Sequence, residues 1–376
     1  MNTWAWCGAA VVLAAIWGGQ VQASGWRKDN NELVTLNKRL AGKVMDHTAN
    51  HGRDLRIMSR SLWQRRDLYV YLPPGFNPEY RYPLMIWLHG FGQDEQSFLK
   101  FVVPVLDDAI AKGKLPPLIV AAPDGSVHGE PSVIHPSTFF LDSQLGDYES
   151  FVLQDVWDFL CQHYPIRPER EAHILAGVSM GGFAAYNLGI RHRQAFGVVI
   201  GIMPPLNLRW THTEGNHLSD FDPFHWGWRT EVHAKDVVGK YYGLVGLRVR
   251  ELFAPLFDCA DGNLLVEMSR INPIELVDRT CLRNGELAMY VAYGGKDEFN
   301  IDAQVESFLY LAHFRRLRID VGYEPDGRHN AVTAMRFAPS IIDWLAPRIA
   351  CYSPPMVLEG TSPIISVPPG VVLPAP

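Results

Sequence analysis

Gly177-Val178-Ser179-Met180-Gly181 reads G-x-S-x-G. It follows an apolar run, 174–178, and opens a helical pattern, 181–193. A serine between two glycines on a strand–turn–helix corner can expose its hydroxyl at the end of a sheet, and a side chain at either glycine would clash there. The hydroxyl is a poor nucleophile at neutral pH. It needs a base to take its proton, and the base needs a carboxylate to orient it. On such a corner the chain order is Ser, then acid, then His.

The downstream sequence supplies that order. Gly294-Gly295-Lys296-Asp297-Glu298 follows the apolar run 287–293. Asp297 is the chosen acid, as the first carboxylate after the Gly-Gly turn, with Glu298 the stronger competitor and Asp326 the weaker. Of the 14 histidines, only His329 lies beyond Asp297 in a strand-to-helix loop, whereas His313 falls inside a helical pattern. His329 is the expected base. A second glycine turn, His89-Gly90-Phe91-Gly92, closes the apolar run 84–89. The backbone N–H groups of Phe91 and Met180 are the expected oxyanion donors, each worth about 3–4 kcal/mol in the transition state. Gly90 and Phe91 are also expected to line the substrate site, and His89 is read as a packing or hydrogen-bonding residue.

Positioning these groups takes a regular scaffold. Apolar runs at 67–72, 84–89, 118–122, 174–178, 196–202, 287–293 and 319–323 read as strands. Between them, 94–112, 147–164, 181–193, 301–317 and 331–349 show helical spacing. Near-continuous apolar strands alternating with helices predict an α/β fold: a mostly parallel sheet covered on both faces. The segment 204–286 breaks the rhythm. A compact connection takes only about 2–6 residues, so this is read as a lid-like insertion. It concentrates Trp210, Phe221, Phe224, Trp226, Trp228, Tyr241 and Tyr242. Trp226 and Trp228 are the candidate substrate-stacking residues; the bland alternative is a small core belonging to the insertion itself. His217, Asp220, Asp222 and His225 match no standard metal spacing, and no phosphate-cradling loop follows the first strand, so neither metal nor cofactor is expected.

Composition bounds the rest. The chain has 376 residues, 47% apolar and 20% charged, with a formal net charge of −6. That excludes whole-chain disorder and argues against a general nucleic-acid-binding role, which usually needs a basic face. Residues 1–26 are without charged side chains, apolar from Trp4 to Trp17, with Val21-Gln22-Ala23 offering small residues before a cleavage point. They read as a secretory signal of about 23 residues, although no Lys or Arg precedes the apolar run. The mature protein is then secreted or periplasmic, without stable membrane insertion. Residues 24–42 form a lead-in, 43–350 the catalytic domain, and 351–376 an extended Pro-rich tail. Cys259 and Cys281 form a candidate disulfide if the protein is exported. Cys161 is expected to be a buried thiol on an amphipathic helix, and Cys351 either free or paired with it.

The chain resembles a known family. The strand Arg66-Asp67-Leu68-Tyr69-Val70-Tyr71-Leu72-Pro73-Pro74-Gly75-Phe76, the stretch from Tyr82-Pro83 to Leu88-His89-Gly90, the helix start Asp147-Tyr148-Glu149-Ser150-Phe151 and the elbow Ala176 to Gly182 resemble the α/β-hydrolases described as "putative esterases". That family includes esterase D, feruloyl and acetylxylan esterases and mycolyltransferases. The resemblance spans roughly 43–350 and implies the triad Ser179, Asp297 and His329. The export signal and the long insertion depart from esterase D. The expected function is therefore an exported serine esterase acting on a small-molecule or glycan-linked ester of a sugar, phenolic acid or lipid. An acyltransferase with the same triad and a non-catalytic binding module are the alternatives.

Overall fold

A computed structural model describes residues 32–132, 137–241, 245–253, 255–257 and 264–355. The expected signal, Cys259 and tail residues 356–376 lie outside them.

Eight strands form one sheet: β1 Lys43–His47, β2 Leu68–Leu72, β3 Leu84–Leu88, β4 Ile119–Pro123, β5 His173–Val178, β6 Val198–Ile202, β7 Ala288–Gly294 and β8 Ile319–Glu324. Their spatial order is β1-β2-β4-β3-β5-β6-β7-β8. Only β2 runs against its neighbours; every other pairing is parallel. β2, β4, β5 and β6 are buried at every position, which is why they read as unbroken apolar runs.

The register shows both covered faces. On β6, Val199 lies against Gly189 and Gly201 against Tyr186, both on the helix Met180–Arg191. Ile200 and Ile202 point the other way, with Met85, Trp87, Ala176 and Val178. Those side chains meet the helices Val103–Ala111 and Ala338–Ile349 around an apolar cavity of about 100 Å³. In Met180–Arg191 every residue but Arg191 is buried, as in a helix covered on all sides.

The structure departs from the expected elements for stated reasons. The helix expected over 94–112 is two, Gln96–Phe101 and Val103–Ala111, and Pro104 sits at the start of the second. Proline has no N–H for the ladder and clashes with the preceding turn. Pro339 marks the same break between Ala331–Arg336 and Ala338–Ile349. The stretch 147–164 contains a π-helical segment, Phe151–Val156, between Tyr148–Ser150 and Trp157–His163. Cys161 corrects the expectation of a buried thiol: it is exposed, because Leu160 and Val156 take the core face of that helix. Cys281 and Cys351 are also exposed, and Cys161 and Cys351 are both free.

The described residues between β6 and β7 carry regular elements. A hairpin joins Trp210–His212 to Trp226–Trp228, and another joins Val237–Tyr241 to Val245–Arg248. Helices Leu264–Ile271 and Pro273–Arg279 follow. The second half belongs to the core: Asn187 Nδ2 donates to the Ile271 carbonyl at 2.5 Å, and Ile274 N–H to Leu206 O at 3.0 Å. Parallel β6 and β7 require a crossover, which these helices supply. Among the described residues no helix is long and apolar enough to cross a membrane.

Candidate active site

Ser179 stands at the junction of β5 and the helix Met180–Arg191, with φ 54° and ψ −117°. For a residue with a Cβ this is a strained conformation that only surrounding structure maintains. Its N–H donates to Ile202 O on β6 at 2.8 Å, which fixes the corner. A Cβ on Gly177 would overlap the Gly181 backbone, and one on Gly181 would overlap the Leu88 carbonyl at the end of β3. Both elbow glycines are thus required by close backbone approach.

His329 lies in the loop between β8 and the helix Ala331–Arg336. Its Nε2 is 2.9 Å from Ser179 Oγ and its Nδ1 is 2.7 Å from Asp297 Oδ2. Nδ1–H donates to the carboxylate, leaving the Nε2 lone pair facing the serine hydroxyl. Asp297 Oδ1 accepts the Phe299 N–H at 2.9 Å, so both carboxylate oxygens are held. Asp297 and His329 are 8% and 4% exposed, and the weak dielectric around them strengthens the contact.

The competing acids have other partners. Glu298 accepts the His329 backbone N–H at 2.9 Å and the Arg328 guanidinium at 2.9 Å. It clamps the histidine loop from behind. Asp326 is exposed and pairs with Lys296. The acid and histidine loops also touch through backbone: Gly294 lies directly against Gly327, and Lys296 N–H donates to Gly327 O at 2.9 Å. Sequence reasoning did not foresee the Glu298 clamp, because a carboxylate adjacent to the chosen acid reads as a rival.

At the end of β3, Gly90 N–H donates to Gln93 Oε1 at 2.9 Å and Gly92 adopts φ +73°. Among the described residues, neither the Phe91 N–H nor the Met180 N–H donates to a protein acceptor. Met180 is the first residue of its helix, where an N–H has no intrahelical partner. His89 is buried; its Nδ1 lies 3.0 Å from Gly90 O and its Nε2 accepts the Gly125 N–H at 2.9 Å. A carbonyl accepts and an amide donates, so the ring is the neutral Nδ1–H tautomer. Burial lowers its pKa, in keeping with that form.

A buried polar cluster underlies this loop, and the sequence reading missed it. Asp124 is fully buried and holds Arg66 at 2.7 Å. Arg66 also donates to the Ser126 carbonyl. Burial, then the Asp124 charge, pushes Asp94 up to about 7. Burial and Asp94 hold Glu95 well above the usual carboxylate range. Glu95 Oε1 accepts Asn50 Nδ2 at 2.6 Å, whereas Oε2 is buried without a partner, as suits a protonated acid.

The aromatic segment divides. Trp226 packs against Trp228 at 5.4 Å, Phe221 at 6.4 Å and Tyr310 at 6.1 Å, and Arg209 covers Trp228. These contacts form a small aromatic core with the helix Ile301–Phe314, and none is with Ser179, Asp297 or His329. The link to the histidine comes from elsewhere. Gly239 lies directly against the Phe299 ring, and Phe299 meets the His329 ring edge-on at 4.9 Å. Asn300 Nδ2 donates to Ser219 O at 2.9 Å, tying the same segment to the acid loop. His217 Nε2 binds the Val237 carbonyl, and Asp222 pairs with His225. Among the described residues no group of His, Cys, Asp and Glu is arranged to hold a metal ion.

A family model described as "Putative esterase" matches residues 59–335. An endo-1,4-beta-xylanase/feruloyl esterase of Xylanibacter ruminicola is 25% identical over 167 residues, covering 39% of this chain and 21% of that protein. An esterase of Mycobacterium tuberculosis is 26% identical over 240 residues, covering 63% of this chain and 45% of that protein. The chain therefore spans less than half the length of these curated relatives. Among solved structures, a ferulic acid esterase superposes with a TM-score of 0.59 at 19% identity, over 82% of this chain and 99% of that one. An S-formylglutathione hydrolase from Agrobacterium tumefaciens gives 0.55 at 15% identity, over 82% and 96%. The fold they share with this chain is the α/β-hydrolase fold.

Proposed function

The chain belongs to this esterase family of α/β-hydrolases, and from that premise we propose that it is an exported serine esterase working through an acyl-enzyme. Ser179 Oγ attacks the acyl carbon while His329 Nε2 takes its proton. Asp297 orients the imidazole and stabilises the imidazolium. The Phe91 and Met180 amides receive the negative oxygen of the tetrahedral intermediate. His329 then protonates the departing alcohol, and the ester C–O bond breaks. Water, deprotonated by the same Nε2, attacks the acyl-enzyme; its proton returns to Ser179 as the acid leaves.

The observation that carries this reading is the continuous line from Ser179 Oγ through His329 to Asp297, at 2.9 and 2.7 Å. The substrate class, an ester of a sugar or phenolic acid, is supported by the feruloyl esterase named among the relatives. Export is supported by the apolar, uncharged residues 1–26. An ester panel containing p-nitrophenyl acetate, acetylated xylan and feruloylated sugars tests it, together with fluorophosphonate labelling. Turnover and labelling should both vanish in Ser179→Ala; turnover persisting without label would overturn the assignment.

A further inference from the structure

The hairpin Ile57–Ser59/Gln64–Arg66 stands apart from the site just described. It pairs Ile57 with Arg66, Met58 with Arg65 and Ser59 with Gln64. Ile57, Ser59 and Arg66 are buried, so Met58 and Arg65 share the face turned to solvent. At its turn Trp63 is 86% exposed; Met58 is 57% and Leu55 41% exposed. A tryptophan held in water this fully, at φ 55°, is an unusual use of the largest apolar side chain. The turn has a firm base: Asp155 Oδ2 accepts Ser59 Oγ at 2.6 Å and Ser61 N–H at 3.0 Å.

The exposed charge on it is mainly positive. Arg53, Arg60 and Arg65 are exposed, and none makes an ion pair among the described residues. Only Arg56 on this segment has an exposed partner, Asp54. This cationic tip belongs to a chain whose formal net charge is −6.

We propose that this hairpin is a docking surface for an anionic phospholipid surface. Trp63 and Met58 enter the boundary between headgroups and acyl chains, and Arg60 and Arg65 pair with lipid phosphates. Charge complementarity selects an anionic partner. Met58, exposed on the same face as Arg65, adds a second apolar side chain to Trp63, which favours a hydrocarbon boundary over an acidic polysaccharide. The hairpin rests on the surface; among the described residues no helix is long and apolar enough to cross it.

Co-sedimentation of the full chain with phosphatidylcholine vesicles, with and without phosphatidylglycerol, tests this. Binding should be at least ~10-fold tighter with phosphatidylglycerol and should weaken with salt. It should be lost in Trp63→Ser and in the double variant Arg60→Glu/Arg65→Glu. Both variants should hydrolyse soluble p-nitrophenyl acetate as the parent does, which separates lost docking from lost fold. Equal binding to neutral and anionic vesicles, or binding unchanged in the variants, overturns the proposal. So does capture by polygalacturonate in place of vesicles, which would make the hairpin a glycan-docking face.

Discussion

Asp297 Oδ2 lies 2.7 Å from His329 Nδ1, while the adjacent Glu298 turns to the backbone N–H of the same histidine. One acid meets the ring and the other holds the loop that carries it. Asp297→Asn should therefore lower kcat by about 10⁴-fold, since an amide no longer fixes the donor tautomer. Glu298→Gln keeps an acceptor for the His329 N–H and should cost less than about tenfold. Steady-state kinetics on p-nitrophenyl acetate compares them, and the reverse ranking would make Glu298 the acid of the triad.

Ser179→Ala should lower kcat by ~10³-fold or more, leaving what the oxyanion donors supply alone. The thermal midpoint should hold or rise, because Ala removes no packing. Circular dichroism melts run beside the kinetics check that the loss is chemical.

The elbow makes a different kind of demand. A Cβ on Gly181 has no room beside the Leu88 carbonyl, which is backbone and cannot swing away. Gly181→Ala should destabilise by roughly 3 kcal/mol or more. Gly227→Ala, where open space surrounds the position, is the control and should leave the denaturant midpoint nearly unchanged.

Glu95 and Asp94 give the fold a pH dependence of definite sign. Burial, then neighbouring carboxylates, raise both above their ordinary values, Asp94 to about 7. The folded protein keeps protons that the unfolded chain has lost, so the Asp94 contribution falls as pH rises from about 4 to about 7, and the Glu95 contribution falls as pH rises above its ordinary range. Glu95→Gln cannot ionise, and its melting temperature relative to the parent should climb over that rise. Glu149 runs the other way. Burial pushes it up, but hydrogen bonds from His192 and Arg191 outweigh that and bring it to about 2. Its contribution is present above about 4.5 and is lost as the pH falls towards 2. A parent-to-Glu95→Gln difference that is flat with pH would show that Glu95 holds no proton in the folded state.

Trp226 and Trp228 contact other aromatic side chains, whereas Phe299 touches His329. Trp226→Ala should mainly lower the melting temperature, with the KM ratio of feruloyl to acetyl esters unchanged. A selective rise in the feruloyl KM would place Trp226 in the substrate site.

The sequence by itself determined the elements whose cause is local. Unbroken apolar runs marked the central strands, because strands buried on both faces have no polar side to show. The elbow was legible because a tight corner permits only glycine at its flanks. The order of Ser179, Asp297 and His329 along the chain narrowed the acid and the base to single loops. Local spacing favoured Asp297 but could not give Glu298 its role, which depends on how one turn faces a loop some thirty residues away. Nor could it find β1, an edge strand with a single buried position, or the acids beneath the turn after β3. Asp94 and Glu95 look like ordinary charges at a helix start until Asp124 and Asp67 are packed beside them. Strand order brings such groups together, and only the folded sheet says which distant side chains share a dielectric.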